Sequence, residues 1–218
     1  HKYFVHPDGM QALIKESSKS LDLKPNERCI RVDAQNKVAY FESGLEVAYD
    51  VLISSLPFPQ AHELLEFEES LNINFDPCIS VGLIINRDIK TKYSAYQSVN
   101  KHISWVASSK FFNTAIGETW VLQFSPETSR AMFDSSKNQL TDFASNQLNK
   151  LLDTNITIEY SYVFKWKYAQ CNRLNIKQKF ITLKNDIFAI GDWNISPRVE
   201  SAFLSGKALA EFLMSNNK

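Results

Sequence analysis

The chain has 218 residues, 44% of them hydrophobic, and its 24 lysines and arginines balance 24 aspartates and glutamates. A chain of this size buries a substantial core and forms one large domain or one and a half small ones. Neither charge sign gathers into a block, so the sequence argues against a nucleic acid or an anionic membrane as partner and leaves a small molecule.

The cysteines and histidines are too scattered for a disulfide framework or a metal site. Cys29, Cys78 and Cys171 are far apart and odd in number, and the four histidines lack the spacing of metal ligands. No apolar run of the sequence approaches the roughly 18 residues that a membrane helix needs, and we expect a protein of the reducing cytoplasm. Because the chain starts at His1 rather than at a methionine, we also expect that an upstream segment has been removed.

The first third of the chain changes from a helical to a strand pattern. A turn at 7–10 leads into an amphipathic helix at 11–17. Residues 49–56 form a nearly continuous apolar run, of the kind that is buried on both faces of a parallel sheet, and a short helix follows at 60–65. Between the helix and this run, turn residues separate short β-like segments that predict a three-stranded meander, at 29–32, 38–41 and 45–48.

The middle of the chain is mainly β. Its strand patterns, strong except for the second, lie at 79–85, 93–96, 103–107 and 119–124. They predict a mostly antiparallel sheet. The elements that follow are two helices and then a pair of strands, at about 126–133, 140–152, 158–168 and 180–183.

The last thirty residues carry the most informative feature. Residues 187–193 indicate a buried strand that ends on Gly191 and Asp192, and a short loop leads from there into a helix. Gly191 lets the backbone turn sharply and approach a ligand, while the carboxylate of Asp192 suits the hydroxyls of a ribityl or ribose chain. Such a strand-loop-helix unit is half of a dinucleotide-binding site.

The start of the terminal helix adds a place for negative charge. Ser196 suits an N-cap and Pro197 the first helical position. This arrangement leaves the backbone amides of Arg198, Val199 and Glu200 unpaired at the positive end of the helix dipole. The alternative is that Gly-Asp is an ordinary turn and that the apolar residues of the helix are simply a core face, namely Val199, Ala202, Phe203, Gly206, Ala210 and Leu213.

The usual other half of such a site is absent from the sequence. A glycine-rich turn of the form G-x-G-x-x-G needs closely spaced glycines, but the six glycines stand apart at positions 9, 44, 82, 117, 191 and 206. The order of elements predicts an α+β or α/β fold, with an incomplete Rossmann-like lobe and a lobe built on a mostly antiparallel sheet with helices on one face. We place the first lobe at 1–65 and 186–218 and the second, a substrate-binding lobe, at 66–185.

Four segments carry a resemblance to a known family. Residues 191–206 contain Gly-Asp-Trp, Arg-Val-Glu and Ala-Phe-Leu-Ser-Gly, and residues 166–170 are Trp-Lys-Tyr-Ala-Gln. Residues 7–10 are Pro-Asp-Gly-Met, and 50–61 lead from a strand into a proline-rich turn. Together they resemble the FAD-dependent amine-oxidase-like proteins, especially the bacterial renalase-like branch. The resemblance implies that the Rossmann-like lobe binds FAD.

The resemblance also implies roles for individual residues. Asp192 would contact the ribityl chain, and the amides near Val199 and Glu200, beside Arg198, would contact the pyrimidine edge of the flavin, where negative charge develops on reduction. The backbone near Cys29 corresponds to the family's adenine contact. No catalytic residue is assigned, because hydride transfer to a flavin depends more on orientation and electrostatics than on one acid or base. Residues toward the flavin ring and substrate cavity would be Trp105, Trp166, Tyr168, Gln170 and Trp193.

Two departures from the family bear on how tightly FAD would be held. The family often has glycine where this chain has Pro197 and Ser201, so the approach of the flavin ring to the helix is altered. The N-terminal unit that would hold the pyrophosphate is missing, so we expect the isolated 218-residue chain to bind little or no FAD. The open edge of its sheet would then need another cover.

Three functions stay open on this evidence. The first is a fragment of an FAD-dependent oxidoreductase, completed by a missing N-terminal segment of the same protein. By resemblance, its substrate is an NAD(P)-type molecule, an isomeric dihydronicotinamide nucleotide that gives a hydride to the flavin, and oxygen reoxidises the flavin. The second is a flavin amine oxidase, for which Lys110 and Lys167 are candidates to bridge to the flavin through water. The third is a ligand- or partner-binding domain without catalysis.

Overall fold

The structure, a computed structural model, describes residues 11–67, 71, 73–85, 89–109, 118–172 and 178–216. The chain divides into two compact units, which are described separately. Unit 1 comprises His1–Leu23 and Pro77–Ala169, and unit 2 comprises Lys24–Asp76 and Gln170–Lys218. The functional lobes drawn from the sequence, 1–65 with 186–218 and 66–185, stay a prediction. Among the helices of the described residues, none has the length and apolar character needed to cross a membrane.

The helices and strands follow the predicted order closely. In chain order they are α1 (Gln11–Ser17), β1 (Cys29–Asp33), β2 (Val38–Phe41), β3 (Glu46–Ala48), β4 (Leu52–Ser54), α2 (Phe58–Leu64), β5 (Phe75–Ile85), β6 (Ala95–Gln97), β7 (Ile103–Ser108), β8 (Glu118–Phe124), α3 (Pro126–Ala131), α4 (Lys137–Leu152), β9 (Ile158–Cys171), β10 (Ile181–Thr182), β11 (Ile187–Ala189) and α5 (Val199–Asn216). A one-turn 3-10 helix covers Asp192–Asn194. The turn predicted at 7–10 lies outside the described residues.

Unit 1 is built on a five-stranded sheet in the order β6-β7-β8-β5-β9. The pairs β6–β7, β7–β8 and β8–β5 are antiparallel, as predicted. One face of the sheet packs against α4, because alternate residues of β5 and β8 are apolar and fully buried there. The helix contributes residues one turn apart to the same core, namely Leu140, Ala144 and Leu148.

Local sequence explains where α4 begins. The Ser136 hydroxyl accepts a hydrogen bond from the backbone N–H of Gln139, and the Gln139 side chain accepts one from the backbone N–H of Ser136. This reciprocal capping box satisfies two amides that the first turn of a helix leaves without partners. The start of α4 is therefore closed by its own side chains.

Unit 2 contains two small sheets and a small core. The meander β1-β2-β3 is antiparallel, whereas the second sheet, in the order β10-β11-β4, pairs β11 in parallel with β4. Residues from both ends of the unit form the core: Phe58, Ile73, Cys171, Ala189 and Trp193. This parallel pair lies in the region for which the sequence predicts an incomplete Rossmann-like lobe.

Two local predictions for unit 2 are wrong. The run at 49–56 does not form a strand buried on both faces: β4 has three residues, it is the last strand of its sheet among the described residues, and Ile53 is 48% exposed. The terminal helix begins at Val199 rather than at Pro197. The physical reason is the 3-10 turn before it, in which the N–H of Ser196 donates to the carbonyl of Asp192 at 2.8 Å and delays the helix start. The Ser196 hydroxyl consequently contacts the Ser201 hydroxyl, at 2.7 Å, instead of capping the first turn.

Candidate functional site

The parallel strands β4 and β11 end side by side. The N–H of Ile190 donates to the carbonyl of Ser54 at 2.9 Å, so the segments that follow the two strands, 55–56 and 191–192, start from the same edge. In open α/β sheets, ligands bind in the crevice at the carboxyl ends of parallel strands. This edge of unit 2 is the candidate site.

A cavity of about 690 Å³ opens beside β4. Residues of β1, β2, β4 and α2 line it, among them Cys29 and Ser54. Ser54 is 8% exposed, and its hydroxyl oxygen is buried without a hydrogen-bond partner among the described residues. A buried polar group without a partner costs roughly 1–3 kcal/mol. The cavity thus includes the predicted adenine position at Cys29 and borders a buried residue whose hydroxyl has no partner among the described residues.

Gly191 is held tightly between the strand and α5. Its N–H donates to the Ser205 hydroxyl at 3.1 Å, and that hydroxyl donates to the carbonyl of Lys179 at 2.6 Å. A Cβ at position 191 would lie 2.4 Å from Nε1 of Trp193, so a larger residue does not fit here. Position 191 therefore requires glycine because the Trp193 ring lies against the backbone there. The sequence analysis had instead explained this glycine by the approach of a ligand.

Asp192 is a half-buried carboxylate at the start of the 3-10 helix. Burial raises the pKa of Asp192, and the peptide N–H groups of Trp193 and of Asp192 itself offset part of this effect. Burial also raises the pKa of the Cys171 thiol to about 11, with a further contribution from the charge of Asp192. A partly desolvated carboxylate gains most from a ligand that supplies hydroxyl donors.

The start of α5 leaves two of the three predicted amides unpaired. The N–H of Arg198 donates to the carbonyl of Ser196 at 2.7 Å. The amides of Val199 and Glu200 have no hydrogen-bond partner among the described residues, and both residues are exposed. The positive end of an 18-residue helix is therefore accessible, although the Glu200 side chain in its first turn offsets part of that field.

The alternative that the apolar residues of α5 are a core face is wrong for Val199 and Phe203. Val199 is 79% exposed and Phe203 is 69% exposed. The buried residues of the helix are instead Ser201, Ser205 and Leu209. The helix thus binds its own unit through small hydroxyl side chains and presents an apolar surface outward.

Three of the five predicted cavity residues, Trp105, Trp166 and Tyr168, lie in unit 1. Trp105 pairs with Gln123, which also pairs with Ser80, so Trp105 lies on the sheet face opposite α4. Trp166, 56% exposed, continues a row of aromatic rings along β9. Ring centroids in this row are 5.7 Å apart for Tyr162 and Phe164 and 6.1 Å apart for Phe164 and Trp166.

Tyr162 is a residue of this face that the sequence analysis missed. Its ring covers Gly82 of β5 so closely that a Cβ there would lie 2.0 Å from the ring carbon Cζ. Strict alternation along β9 was the available signal, since every second residue is aromatic: Tyr160, Tyr162, Phe164, Trp166 and Tyr168.

The other predicted cavity residues lie in unit 2, and their role stays a prediction. Gln170 is exposed near the end of β9. Trp193 is only 3% exposed, packs against Phe58 with ring centroids 5.4 Å apart, and donates from Nε1 to the carbonyl of Leu56 at 3.1 Å. In this unit it therefore serves as a core residue. Lys110 lies outside the described residues.

No protein-family model matches the chain, but its fold is shared with solved structures of two oxidases and a mutase. A protein from Exiguobacterium sp. 255-15, described as a protoporphyrinogen oxidase, has a TM-score of 0.72 at 12% identity, covering 94% of this chain and 51% of that one. A putrescine oxidase redesigned for cofactor binding has a TM-score of 0.64 at 13% identity, covering 95% and 53%. Reduced UDP-galactopyranose mutase has a TM-score of 0.52 at 14% identity, covering 73% and 38%.

At these identities the similarity shows the fold alone, and the α+β fold expected from the sequence is confirmed. The chain spans about half the length of the two oxidases.

Proposed function

We propose that this chain is part of an FAD-dependent oxidoreductase and that its candidate site holds the cofactor. One observation carries the proposal: the carboxyl ends of β4 and β11 meet beside a cavity lined by Cys29, the predicted adenine position, and by Ser54, whose buried hydroxyl has no partner among the described residues. The fold shared with two oxidases supports it.

The residues present fit FAD chemically. The Ser54 hydroxyl and the backbone near Cys29 would hold the adenosine half, and the half-buried carboxylate of Asp192 would accept hydrogen bonds from ribityl hydroxyls. The free amides of Val199 and Glu200 would stabilise negative charge at the pyrimidine edge. When bound, FAD supplies a ring that takes up a hydride. The chain's own contribution is to bind and orient.

A segment outside residues 1–218 would complete this site. The sequence contains no glycine-rich turn for the pyrophosphate, and the two oxidases with the same fold are about twice as long. We therefore propose that a dinucleotide-binding segment of the same protein supplies that contact and that the 218-residue chain alone binds FAD weakly.

For the substrate, we favour an isomeric dihydronicotinamide nucleotide over an amine. The aromatic row on β9 offers stacking surface for a planar ring. Lys167, a candidate bridge in an amine oxidase, has its ammonium 5.2 Å from the ring centroid of Tyr168, which already engages its charge. Turnover of dihydronicotinamide isomers compared with a panel of primary amines separates the two.

The cofactor proposal is tested by flavin absorbance and by FAD release on denaturation of the longer gene product. We expect yellow protein. Ser54→Ala, which removes only the hydroxyl, should weaken FAD binding by up to about tenfold, since a lost hydrogen bond between neutral groups costs roughly 0.5–1.5 kcal/mol. Asp192→Ala should weaken it on the order of 10- to 100-fold, since a lost hydrogen bond to a charged group costs roughly 1.5–3 kcal/mol. Asp186→Ala, at the exposed ion pair with Lys37, is the matched control and should bind FAD normally. Colourless full-length protein would favour the non-catalytic binding domain.

A further inference from the structure

One buried hydroxyl joins three segments of unit 2. Ser205 lies on α5 and is fully buried. Its hydroxyl accepts a hydrogen bond from the N–H of Gly191 at 3.1 Å, in the turn after β11, and donates one to the carbonyl of Lys179 at 2.6 Å, ahead of β10. A hydroxyl has a single proton to donate, so the bond to Lys179 leaves its oxygen as the acceptor for Gly191. We call this pair of hydrogen bonds the Ser205 bridge.

The partners of Ser205 differ from those of an ordinary serine within a helix. Such a serine donates to the carbonyl four residues earlier on its own helix or points to solvent. Here both partners belong to other segments. The buried residues of α5, Ser201, Ser205 and Leu209, are four positions apart and therefore share one face of the helix. The Ser205 hydroxyl thus connects that face to the turn after β11.

One end of the Ser205 bridge is next to Asp192. Gly191 directly precedes Asp192, whose carboxylate accepts hydrogen bonds from its own N–H and from that of Trp193. The direction of the carboxylate therefore follows the backbone of the turn that Ser205 holds. The strand side of the turn is held separately, because the N–H of Ile190 donates to a carbonyl of β4.

The other end of the Ser205 bridge is fixed to the start of α5. The amides of Val199 and Glu200, which have no partner among the described residues, lie six and five positions before Ser205 on the same helix. At about 1.5 Å per residue, roughly 7.5–9 Å of regular helix separates them from Ser205. The direct connection from Asp192, residues 193–198, is a 3-10 turn followed by non-helical residues. The Ser205 bridge adds a second connection between Asp192 and these amides.

We propose that Ser205 is a positioning residue of the cofactor site, whose hydroxyl holds Asp192 and the amides of Val199 and Glu200 at the spacing at which one flavin contacts both. This inference rests on the proposed function, in which Asp192 accepts from the ribityl chain and the amides stabilise charge at the pyrimidine edge. Both contacts are made to one molecule, so a shift of the turn relative to α5 weakens at least one of them.

Amide hydrogen exchange tests the Ser205 bridge without any cofactor. In the 218-residue chain, Ser205→Ala removes the acceptor of the Gly191 amide, whose exchange should become faster on the order of 10- to 100-fold. The neighbouring Ile190 amide, bonded to β4, is the internal control and should keep its exchange rate. Equal acceleration at both amides would reflect a general loosening of the unit, and unchanged exchange at Gly191 would show that the bridge does not hold the turn. Either result overturns the proposal.

Ser129 of unit 1 provides a matched control. It is also fully buried on a helix, α3, and its hydroxyl accepts from the N–H of Ile79 at 3.0 Å and donates to the carbonyl of Phe124 at 3.5 Å. Ser129→Ala therefore removes the same kind of bridge in the other unit, and urea denaturation compares the stability lost by the two variants. It should speed exchange at Ile79 and leave the FAD affinity of the longer gene product unchanged.

FAD affinity in the longer gene product shows whether Ser205 acts through Asp192. Ser205→Ala should weaken FAD binding about tenfold. In an Asp192→Ala background the same change should weaken it less than about twofold, because the positioned residue is gone. Ser205→Cys, a weaker donor and acceptor, should lie between native and alanine, and it replaces the alanine variant if that variant does not fold. Equal weakening in both backgrounds, or equal weakening by Ser129→Ala, overturns the proposal.

The colour of the native longer protein separates this inference from the proposed function. Colourless native protein refutes the cofactor and, with it, the positioning role. Yellow native protein together with normal FAD affinity in Ser205→Ala refutes the positioning role alone.

Discussion

The two units of the chain bury their apolar residues to different extents. In unit 1, β5, β7, β8 and α4 supply a core of twelve described residues that are at most 1% exposed. In unit 2 the buried cluster has five residues within the part of the chain that the structure describes, while Ile53 on β4 and Phe203 on α5 are 48% and 69% exposed. Both units expose some large apolar side chains, such as Trp166 of unit 1 at 56%, but unit 1 encloses the larger core, whereas β4 of unit 2 ends its sheet among the described residues. The difference teaches that the stability of unit 1 rests on a larger buried core than that of unit 2.

The largest expected change in the free energy of unfolding comes from replacing a phenylalanine in each unit by alanine. Phe124 is 1% exposed and packs against Phe143 with ring centroids 5.2 Å apart, so Phe124→Ala should lower the free energy of unfolding by about 3–5 kcal/mol. Phe203→Ala should change it by less than about 0.5 kcal/mol in the 218-residue chain. Urea denaturation measures both. Equal losses would show that the outer face of α5 is packed and would break the contrast.

Replacing one glycine in each unit by alanine compares how tightly the two units pack around a single added carbon atom. Gly82→Ala places a Cβ against the ring of Tyr162 and should cost about 1–3 kcal/mol of stability through overpacking. Gly206→Ala meets only Ile190 at 3.7 Å and should stabilise α5 by about 0.5–1 kcal/mol. A double variant with Tyr162→Ala should recover part of the Gly82 loss, and additive losses would argue against the contact.

The starts of α4 and α5 also differ. Side chains cap the first turn of α4, whereas the amides of Val199 and Glu200 in α5 have no partner among the described residues. Ser136→Ala removes the cap of α4 and should lower thermal and urea stability by about 1 kcal/mol. Ser135→Ala, at the neighbouring residue outside the capping box, is the control and should stay within about 0.5 kcal/mol of the native chain. Equal losses of unfolding free energy in the two variants would show that the capping box does not stabilise the start of α4.

The smallest expected effect concerns two aspartates whose pKa values move in opposite directions. Burial raises the pKa of Asp192 above 3.8, so the folded state binds its proton more tightly and stability falls as pH rises through the window between 3.8 and the raised pKa. Asp192→Asn should therefore be more stable than the native chain at neutral pH, with an advantage that disappears below pH 3.8.

Asp33 provides the matched comparison. Hydrogen bonds from the backbone and side chain of Asn36 lower its pKa, so this carboxylate contributes stability above pH 3.8 that is lost as pH falls through the lowered pKa. Asp33→Asn should consequently destabilise the chain at neutral pH. Urea titrations across the acid range measure both variants, and effects of the same sign would contradict the assigned causes.

The sequence predicted most elements of this fold because their signals are local. Alternation of apolar residues identified β5 and β8, and apolar residues one turn apart identified α4. The candidate site was predicted in part, since Cys29, Gly191 and Asp192 follow strand and turn patterns that are readable from their neighbours. The predictions failed where a residue depends on a distant part of the chain. Ser54 could not be singled out, because its burial, at 8% exposed, depends on tertiary packing.

Local patterns alone thus determined the order of helices and strands, the antiparallel sheet of unit 1, and the strand-loop-helix at the C-terminus. Only the tertiary structure decided that β4 is the last strand of its sheet among the described residues, that Val199 and Phe203 of α5 are exposed, and that Tyr162 covers Gly82. The physical reason is that period and capping depend on residues within a few positions, whereas exposure depends on contacts such as that between Leu56 and Trp193, 137 residues apart.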